Sequence, residues 1–291
     1  MRLIERLVPS GTPPLVATAD AAAWLDRDLA NLRPMVVLAG GLLTTPRWYA
    51  ATAAALRERG AAEVLIPPVY MQDWVLASVR GLGPIVTRSA RTLLEACARA
   101  AAQPATAGAP ILWVGHSAGG LVGRLLTSPV PFEGRMLNAS ARIAAIVTLG
   151  TPHVISDRER WGRHVSDAAT RFADRHVPGA WFAPAVGYVA VGSRAIVGRQ
   201  DAPDGRGRFA WRLYADLVTP GDQEEIAGDG LVPLASALLP GARHVVLDGT
   251  THGPGARDDW YGRGPALDAW WPVALEVWRD ALRARQTLPA R

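Results

Sequence analysis

The sequence predicts an α/β fold in which a mostly parallel sheet of about six strands is flanked by helices. Short apolar runs of strand character alternate with helical patterns along most of the chain. This alternation is typical of a parallel sheet covered on both faces. One apolar run also passes through a glycine-rich turn directly into a helical pattern. The 291 residues suffice for a large buried core, and we expect one domain over 1–291.

The predicted strands are apolar runs bounded by glycine, proline or polar residues, as expected of strands buried in a sheet. Six runs fit this pattern: 35–41, 62–69, 111–114, 142–150, 186–193 and 244–249. Helical or loop-like segments separate consecutive runs, so we expect parallel pairing.

Helical patterns lie between these runs. In 45–60, Thr45 can cap the helix, Pro46 fits its first position and Gly60 fits its end. The other helical patterns are 19–32 with Asp20 as N-cap, 83–102, 120–128, and a C-terminal segment with Trp271, Leu275, Trp278 and Leu282 on one face.

Composition argues against several classes of function. The net charge of +5 comes from 31 basic and 26 acidic residues, and every basic residue is an arginine. The arginines are scattered and do not form the stripe typical of nucleic-acid binding, so no nucleic-acid partner is expected. No run of about 18 apolar residues could form a transmembrane segment. The first residues lack the apolar core of a secretory signal, and Cys97 is the only cysteine, which favours a cytoplasmic protein.

The turn Gly115-His116-Ser117-Ala118-Gly119 joins a predicted strand to a predicted helix. A serine in such a turn carries its hydroxyl above the sheet edge, where free N–H groups at the helix start stabilise negative charge. Side chains at the flanking glycines would collide with the neighbouring strand or helix. The pattern favours Ser117 as a nucleophile, and the alternative is a tight turn in which Ser117 only caps the helix.

A serine nucleophile needs a base, and the base needs an acid that orients it. The expected chain order after such a serine is acid and then histidine. Asp229, in AGDGLVP, and His252, just after the last predicted strand, fit this order. Asp222 and Asp248 are the rival acids, but Asp222 lies in a polar run and Asp248 is too close to His252 in the chain to reach across easily.

The oxyanion formed by nucleophilic attack needs two N–H donors. The first is expected from the backbone of Ala118, the residue after the serine. The second is expected from the loop after the first strand, where the position indicates the backbone of Leu42. Gly40 and Gly41 would let this loop approach a substrate closely, and they also fit a simple turn.

Other histidine and aromatic residues are candidates for substrate contact. His116 either contacts the substrate or packs beneath the serine, and His153 either lines the pocket or makes structural hydrogen bonds. The aromatic candidates are Trp48, Trp161, Trp181 and Phe182. The alternative for these aromatic residues is that they pack the segment after the fourth strand onto the body of the protein.

Four motifs, LAGGL, VGHSAGG, TLGTPH and GDGLVPLASA…TTHGPG, resemble those of the α/β-hydrolase superfamily, and within it the lipase-like serine esterases. The resemblance runs from about residue 35 to the C-terminal helix. The segment WYGRGPALDAWW is similar to uncharacterised plant and cyanobacterial lipase-like hydrolases. The resemblance implies a lid over 152–186 and these roles: nucleophile Ser117, acid Asp229, base His252, and oxyanion donors Leu42 and Ala118.

The sequence also departs from these lipases. Many of them have His-Gly before the oxyanion residue, whereas Gly40-Gly41 stands here. A calcium site in some bacterial lipases uses an aspartate just after the base, whereas Gly253 follows His252 here. No metal is therefore expected.

We expect a cofactor-independent serine hydrolase that cleaves carboxylic esters through an acyl-enzyme intermediate. The aromatic candidates favour a small-molecule or lipid-like ester with an apolar acyl part. An acyltransferase, a thioesterase or an amidase would use the same residues. A catalytically inactive binding module is the alternative from another class.

Overall fold

A computed structural model describes residues 24–155, 167–218, 224–254 and 259–287. The strands in these ranges are β1 Met35–Ala39, β2 Glu63–Leu65, β3 Ile111–His116, β4 Ile143–Leu149, β5 Gly187–Ser193, β6 Ile196–Gly198, β7 Ile226–Gly228 and β8 Arg243–Leu247. Six of them form one sheet in the order β2-β1-β3-β4-β5-β8, with every neighbouring pair parallel. β6 and β7 form a separate antiparallel pair.

Helices connect and cover the strands. The α-helices of the described ranges are α1 Ala50–Glu58, α2 Met71–Arg80, α3 Gly83–Ala102, α4 Ala118–Thr127, α5 Asp167–His176, α6 Gly205–Leu217, α7 Leu234–Ala237 and α8 Gly264–Thr287. A 3₁₀ turn, Pro46–Tyr49, leads directly into α1.

Both faces of the central strands β1, β3, β4 and β5 are buried, and β1 illustrates how. Successive strand residues point to opposite faces. Val36 and Leu38 therefore pack in the cluster that includes α1 and α8, while Met35 and Val37 pack with α2, α3 and α4. This explains the continuous apolar runs, because a strand covered on both sides has no solvent-facing positions. Each fully buried Val, Leu or Met side chain contributes about 1.5–3 kcal/mol, which makes the sheet a rigid platform.

The carboxyl ends of the parallel strands lie at one edge of the sheet. The loops after β1, β3, β4 and β8 all begin there. This topology brings segments that are distant in sequence to the same edge, and that edge holds the site described below.

The predicted α/β fold class is confirmed, since the structure has a parallel six-stranded sheet flanked by helices. All six predicted strands occur in the sheet, with ends that differ by a few residues. The helix predicted over 83–102 coincides with α3. Pro46 begins a 3₁₀ turn, and the side chain of Thr45 makes no capping hydrogen bond.

Other elements differ from the prediction. The helix predicted over 19–32 is wrong for 24–32, which form turns, while 19–23 lie outside the described residues. α2, α6 and the β6–β7 pair have no counterpart among the predicted elements. Val75 and Val79 of α2 are exposed, so its apolar residues do not form the single buried stripe that marks a helix.

Candidate active site

Ser117 lies in a strained turn between β3 and α4. Its φ of 52° and ψ of −125° are unusual for a residue with a side chain. A methyl group on Gly115 would lie 2.4 Å from the Gly119 carbonyl oxygen, and one on Gly119 would lie 2.4 Å from the carbonyl oxygen of Ala39. Only glycine fits at either position, because these distances are far below van der Waals contact.

The backbone of Ser117 is held by hydrogen bonds, whereas its hydroxyl has no partner among the residues that the structure describes. The Ser117 N–H donates to the Leu149 carbonyl at 2.8 Å, and the Thr151 hydroxyl donates to the Ser117 carbonyl at 2.8 Å. The Ser117 side chain makes no capping hydrogen bond to α4, which argues against the alternative that this serine only caps the helix.

Asp229 and His252 meet at the carboxyl edge of the sheet, after β7 and β8. The Nδ1–H of His252 donates to Asp229 Oδ2 at 2.8 Å, and the backbone N–H of His252 donates to the Asp229 carbonyl at 3.0 Å. Both side chains are buried. Gly150 makes room for this pair, because a methyl group there would lie 2.6 Å from Asp229 Oδ2.

The carboxylate of Asp229 is held in its charged form. The backbone N–H groups of Leu231 and Val232 donate to Asp229 Oδ1 at 3.0 and 2.8 Å. Burial alone would raise the pKa of Asp229, but His252 and the two backbone donors outweigh burial and lower this pKa below its ordinary value. An ionised Asp229 can orient His252 and stabilise its protonated form.

Tyr261 is a member of this cluster that the sequence interpretation missed. Its hydroxyl donates to Asp229 Oδ2 at 2.9 Å, the same oxygen that accepts from His252. Tyr261 is fully buried, and burial together with the charge of Asp229 raises the pKa of Tyr261 well above its ordinary value. It is therefore a neutral donor. The similarity of WYGRGPALDAWW to lipase-like hydrolases was the only sequence signal near it.

Of the two rival acids, the structure describes only Asp248. Asp248 is exposed and forms an ion pair with Arg194, while Asp222 lies outside the described residues. Ser117 and His252 are not hydrogen-bonded to each other in this structure. His116, the neighbour of Ser117, has its ring centroid 4.9 Å from that of His252. In free enzymes, catalytic hydrogen bonds are often long and shorten only when a substrate is bound.

The loop after β1 passes directly against the serine. A methyl group on Gly41 would lie 2.8 Å from Ser117 Cβ. The Gly41 N–H donates to the Tyr49 hydroxyl at 2.9 Å, which fixes the Gly40–Gly41 peptide. This peptide precedes the one that carries the Leu42 N–H. Within the described ranges, the N–H groups of Leu42 and Ala118 donate to no protein atom. Both remain available to an anionic oxygen above Ser117.

His116 and His153 are buried inside the protein instead of facing open space. His116 contacts the Tyr49 hydroxyl through Nδ1 and the His252 carbonyl through Nε2, each at 2.8 Å. His153 contacts Arg124 through Nδ1 at 3.2 Å and the Thr148 hydroxyl through Nε2 at 3.1 Å. Every ring nitrogen is used within the protein, so we revise the expectation that these two residues contact substrate.

The aromatic candidates for substrate contact differ in how far they are buried. Trp48 is exposed next to the Leu42 loop. Phe182 is buried in the core with α2, α3 and α4, and Trp181 packs against the same cluster, so neither is free to cover a pocket. Trp161 lies outside the described residues. For Trp181 and Phe182 the structure therefore favours the packing alternative.

Part of the expected lid is described, namely 152–155 and 167–186. Its helix α5 is tied to the body of the protein. The buried guanidinium of Arg124, in α4, donates to the carbonyls of Ala173 and Val177 at 3.3 and 2.9 Å. These carbonyls lie at the end of α5, where a cation is favoured by the helix dipole.

The described residues contain no group of three or more His, Cys, Asp or Glu side chains that could hold a metal ion. Within the same ranges, no helix combines the length and the apolarity needed to cross a membrane.

Comparisons with known proteins gave matches among solved structures alone. No protein-family model matches the chain, and no curated protein gives a significant match. The apo form of esterase 2 from Thermogutta terrifontis is 15% identical, with a TM-score of 0.48, covering 91% of this chain and 88% of that one. Est1E from Butyrivibrio proteoclasticus, solved with ferulic acid bound, is 15% identical, with a TM-score of 0.41 and coverage of 88% and 90%. A dienelactone hydrolase from Anabaena variabilis is 15% identical, with a TM-score of 0.40 and coverage of 84% and 85%.

Proposed function

We propose that this protein is a serine hydrolase of carboxylic esters, with Ser117 as nucleophile, His252 as base and Asp229 as acid. One observation carries the proposal. A buried, hydrogen-bonded Asp229–His252 pair lies at the same sheet edge as a serine that has positive φ and whose hydroxyl has no hydrogen-bond partner among the described residues. This arrangement has no evident structural purpose, because a buried charge and a strained turn both cost stability.

The chemistry follows from the geometry. Ser117 Oγ attacks the ester carbonyl carbon while His252 Nε2 takes the hydroxyl proton, and Asp229 stabilises the resulting imidazolium. The N–H groups of Leu42 and Ala118 donate to the oxyanion. The C–O bond to the alcohol then breaks, and the alcohol leaves with the proton from His252. Water attacks the acyl-enzyme by the same route in reverse, which releases the acid and restores Ser117.

An apolar acyl group is the substrate feature that the surroundings support best. Leu42, Leu43 and Trp48 are exposed on the loop beside Ser117, and Leu231 is exposed two residues after Asp229. Exposed apolar side chains around a polar site are typical of a surface that binds an apolar ligand. We propose residues 152–186 as a segment that borders this surface, within a single domain.

The decisive experiment is hydrolysis of p-nitrophenyl esters, from acetyl to palmitoyl, by the wild type and Ser117→Ala. We expect kcat to fall by about 10⁴-fold or more in the variant, because the nucleophile is lost. Ser78→Ala removes an exposed serine of α2 and is the matched control, with unchanged turnover. A fluorophosphonate probe should label the wild type and Ser78→Ala alone. Wild-type turnover in a folded Ser117→Ala protein would refute the proposal.

A further inference from the structure

A chain of buried hydrogen bonds connects the loop after β1 to the loop that holds His252. It runs from the Gly41 N–H through Tyr49 and His116 to the His252 carbonyl. We propose that His116 is a positioning residue. It fixes the backbone of His252 and, through Tyr49, the Gly40–Gly41 peptide, which precedes the peptide that carries the Leu42 N–H. The inference rests on the proposed function, because it assigns the means by which the base and the oxyanion donor keep their relative positions.

The donor and the acceptor in each of these hydrogen bonds can be assigned from the acceptor at the end of the series. A carbonyl oxygen can only accept, so the 2.8 Å contact between His116 Nε2 and the His252 carbonyl requires a proton on Nε2. A neutral imidazole then has Nδ1 free to accept. The Tyr49 hydroxyl is its donor, because its 2.8 Å contact with Nδ1 is shorter than its 3.2 Å contact with Thr44 Oγ1. The Tyr49 oxygen in turn accepts from the Gly41 N–H at 2.9 Å. All donors therefore point the same way, an arrangement in which neighbouring hydrogen bonds strengthen one another.

The surroundings keep His116 in this neutral, fixed state. Its ring is buried, and the ring of Trp260 packs edge-on against it at a centroid distance of 5.7 Å. Burial is the main reason that the pKa of His116 falls to about 3, and the nearby His252 lowers it further. Protonation would place a hydrogen on Nδ1 and remove the acceptor for Tyr49.

This chain of hydrogen bonds holds the backbone of His252, and the position of that backbone determines where the imidazole ring points. The His252 N–H is held by the Asp229 carbonyl, its ring Nδ1 by Asp229 Oδ2, and its carbonyl by His116. Within the described ranges, His252 Nε2 is then the one polar atom of this residue without a hydrogen-bond partner. His116 precedes Ser117 in the chain, so one short segment carries the nucleophile and fixes the base. A misplacement of about 1 Å between reacting groups costs about 10²-fold in rate.

Two substitutions at one position separate positioning from simple filling of space. The amide nitrogen of His116→Gln reaches the place of Nε2 and can still donate to the His252 carbonyl. The shorter amide of His116→Asn reaches only the place of Nδ1, so the contact with His252 is lost. We expect kcat to fall by about 10–100-fold in His116→Asn, with KM within about threefold, and to recover to within about fivefold of wild type in His116→Gln.

The rate of fluorophosphonate labelling should follow kcat in both variants. Melting temperatures should be similar for the two, since each replaces the buried ring with an amide. Tyr188→Phe, another buried tyrosine, is the control for loss of a hydroxyl outside the chain and should keep wild-type kcat. Tyr49→Phe removes the donor to Nδ1 and should lower kcat while leaving KM within about threefold.

The outcomes distinguish the inference from the proposed function. An inactive Ser117→Ala together with wild-type kcat in His116→Asn would overturn the positioning role and leave the hydrolase intact. Equal losses of kcat in His116→Asn and His116→Gln would also overturn it, because the amide that can donate would then give no rescue. Wild-type activity in Ser117→Ala would remove the hydrolase proposal itself.

Discussion

The proposed acid–base half of the site, formed by Asp229, His252 and Tyr261, differs from the proposed oxyanion half, formed by the backbones of Leu42 and Ala118. In the first half, the Asp229 carboxylate accepts four hydrogen bonds, from His252, Tyr261 and two backbone N–H groups. In the second half, within the described ranges, both N–H groups lack a protein acceptor. We call the first half saturated, because its acceptor has four donors, and the second half open, because its donors have no acceptor in these ranges.

Under the proposed mechanism, this difference matches the role of each half in the reaction. A base must keep one orientation through the whole reaction, so its partners are permanent and buried. An oxyanion exists only briefly, and donors that stay unpaired in the resting protein gain their full interaction when the charge forms. The comparison can be tested by removing one permanent contact or one open donor at a time.

Asp229→Asn should have the largest effect, because it removes the negative charge that accepts the four hydrogen bonds of the saturated half. We expect kcat to fall by about 10³–10⁴-fold, since the amide no longer stabilises the imidazolium and favours the wrong tautomer. Asp248→Asn is the matched control, because Asp248 is exposed and paired with Arg194. Steady-state kinetics on a p-nitrophenyl ester measures both variants. A smaller loss in Asp229→Asn than in Asp248→Asn would contradict the comparison.

Ala118→Pro tests the open half, because proline lacks the N–H group. We expect kcat to fall by about 10²–10³-fold, the usual cost of one oxyanion donor. Ala118→Gly keeps the N–H group and should stay within about tenfold of wild type. Circular dichroism shows whether α4 is intact in each variant. Wild-type turnover in Ala118→Pro would exclude the Ala118 backbone as a donor.

Tyr261→Phe removes one of the four donors to Asp229 and leaves the others. We expect the free energy of unfolding to fall by about 1.5–3 kcal/mol, the usual worth of a hydrogen bond to a charged group. The loss in kcat should stay near tenfold, because His252 keeps its acid. Urea unfolding and ester kinetics measure the two quantities, with Tyr188→Phe as the control. An unchanged stability would mean that the Tyr261 contact contributes nothing.

The last prediction concerns the pH dependence of stability instead of turnover. The pKa of His116 is lowered from 6.5 to about 3, so between these values the unfolded chain binds a proton that the folded chain excludes. The contribution of His116 is therefore complete above pH 6.5 and is lost as the pH falls towards 3. Urea unfolding from pH 7 to 4 should give His116→Gln a slope smaller by up to about 1.4 kcal/mol per pH unit. His252 and Asp229, which interact with the ring, remain in both proteins, so equal slopes would contradict this assignment.

The sequence was most informative where one physical requirement acts on consecutive residues. Strands buried on both faces must be apolar throughout, and the central strands β1, β3, β4 and β5 could be predicted for that reason. Gly115 and Gly119 are required by backbone contacts within a single turn, so the strained position of Ser117 was also visible. The 2.8 Å contact of Asp229 with His252 agrees with the chain order that the resemblance implies.

Contacts that depend on the packing of distant elements could not be predicted in this way. Tyr261 reaches Asp229 across 32 residues, and Tyr49 reaches His116 across 67. Neither spacing has a local signature, because helices and strands between the partners set the distance. Phe182 is a candidate for substrate contact by its place in the sequence, whereas in the structure it is buried in the core. Tertiary packing decided these side chains.

The close fit of Gly41, Gly115 and Gly119 has a consequence for anyone who redesigns this protein. Under the proposed mechanism, residue 42 contributes its main chain to the reaction, while its exposed side chain belongs to the apolar surface for the acyl group. Chemistry and selectivity are then encoded in different atoms of one residue. Libraries that randomise positions 42, 43, 48 and 231 can search for new acyl preferences without touching the reaction, whereas any library that includes the three glycines will consist mostly of misfolded chains.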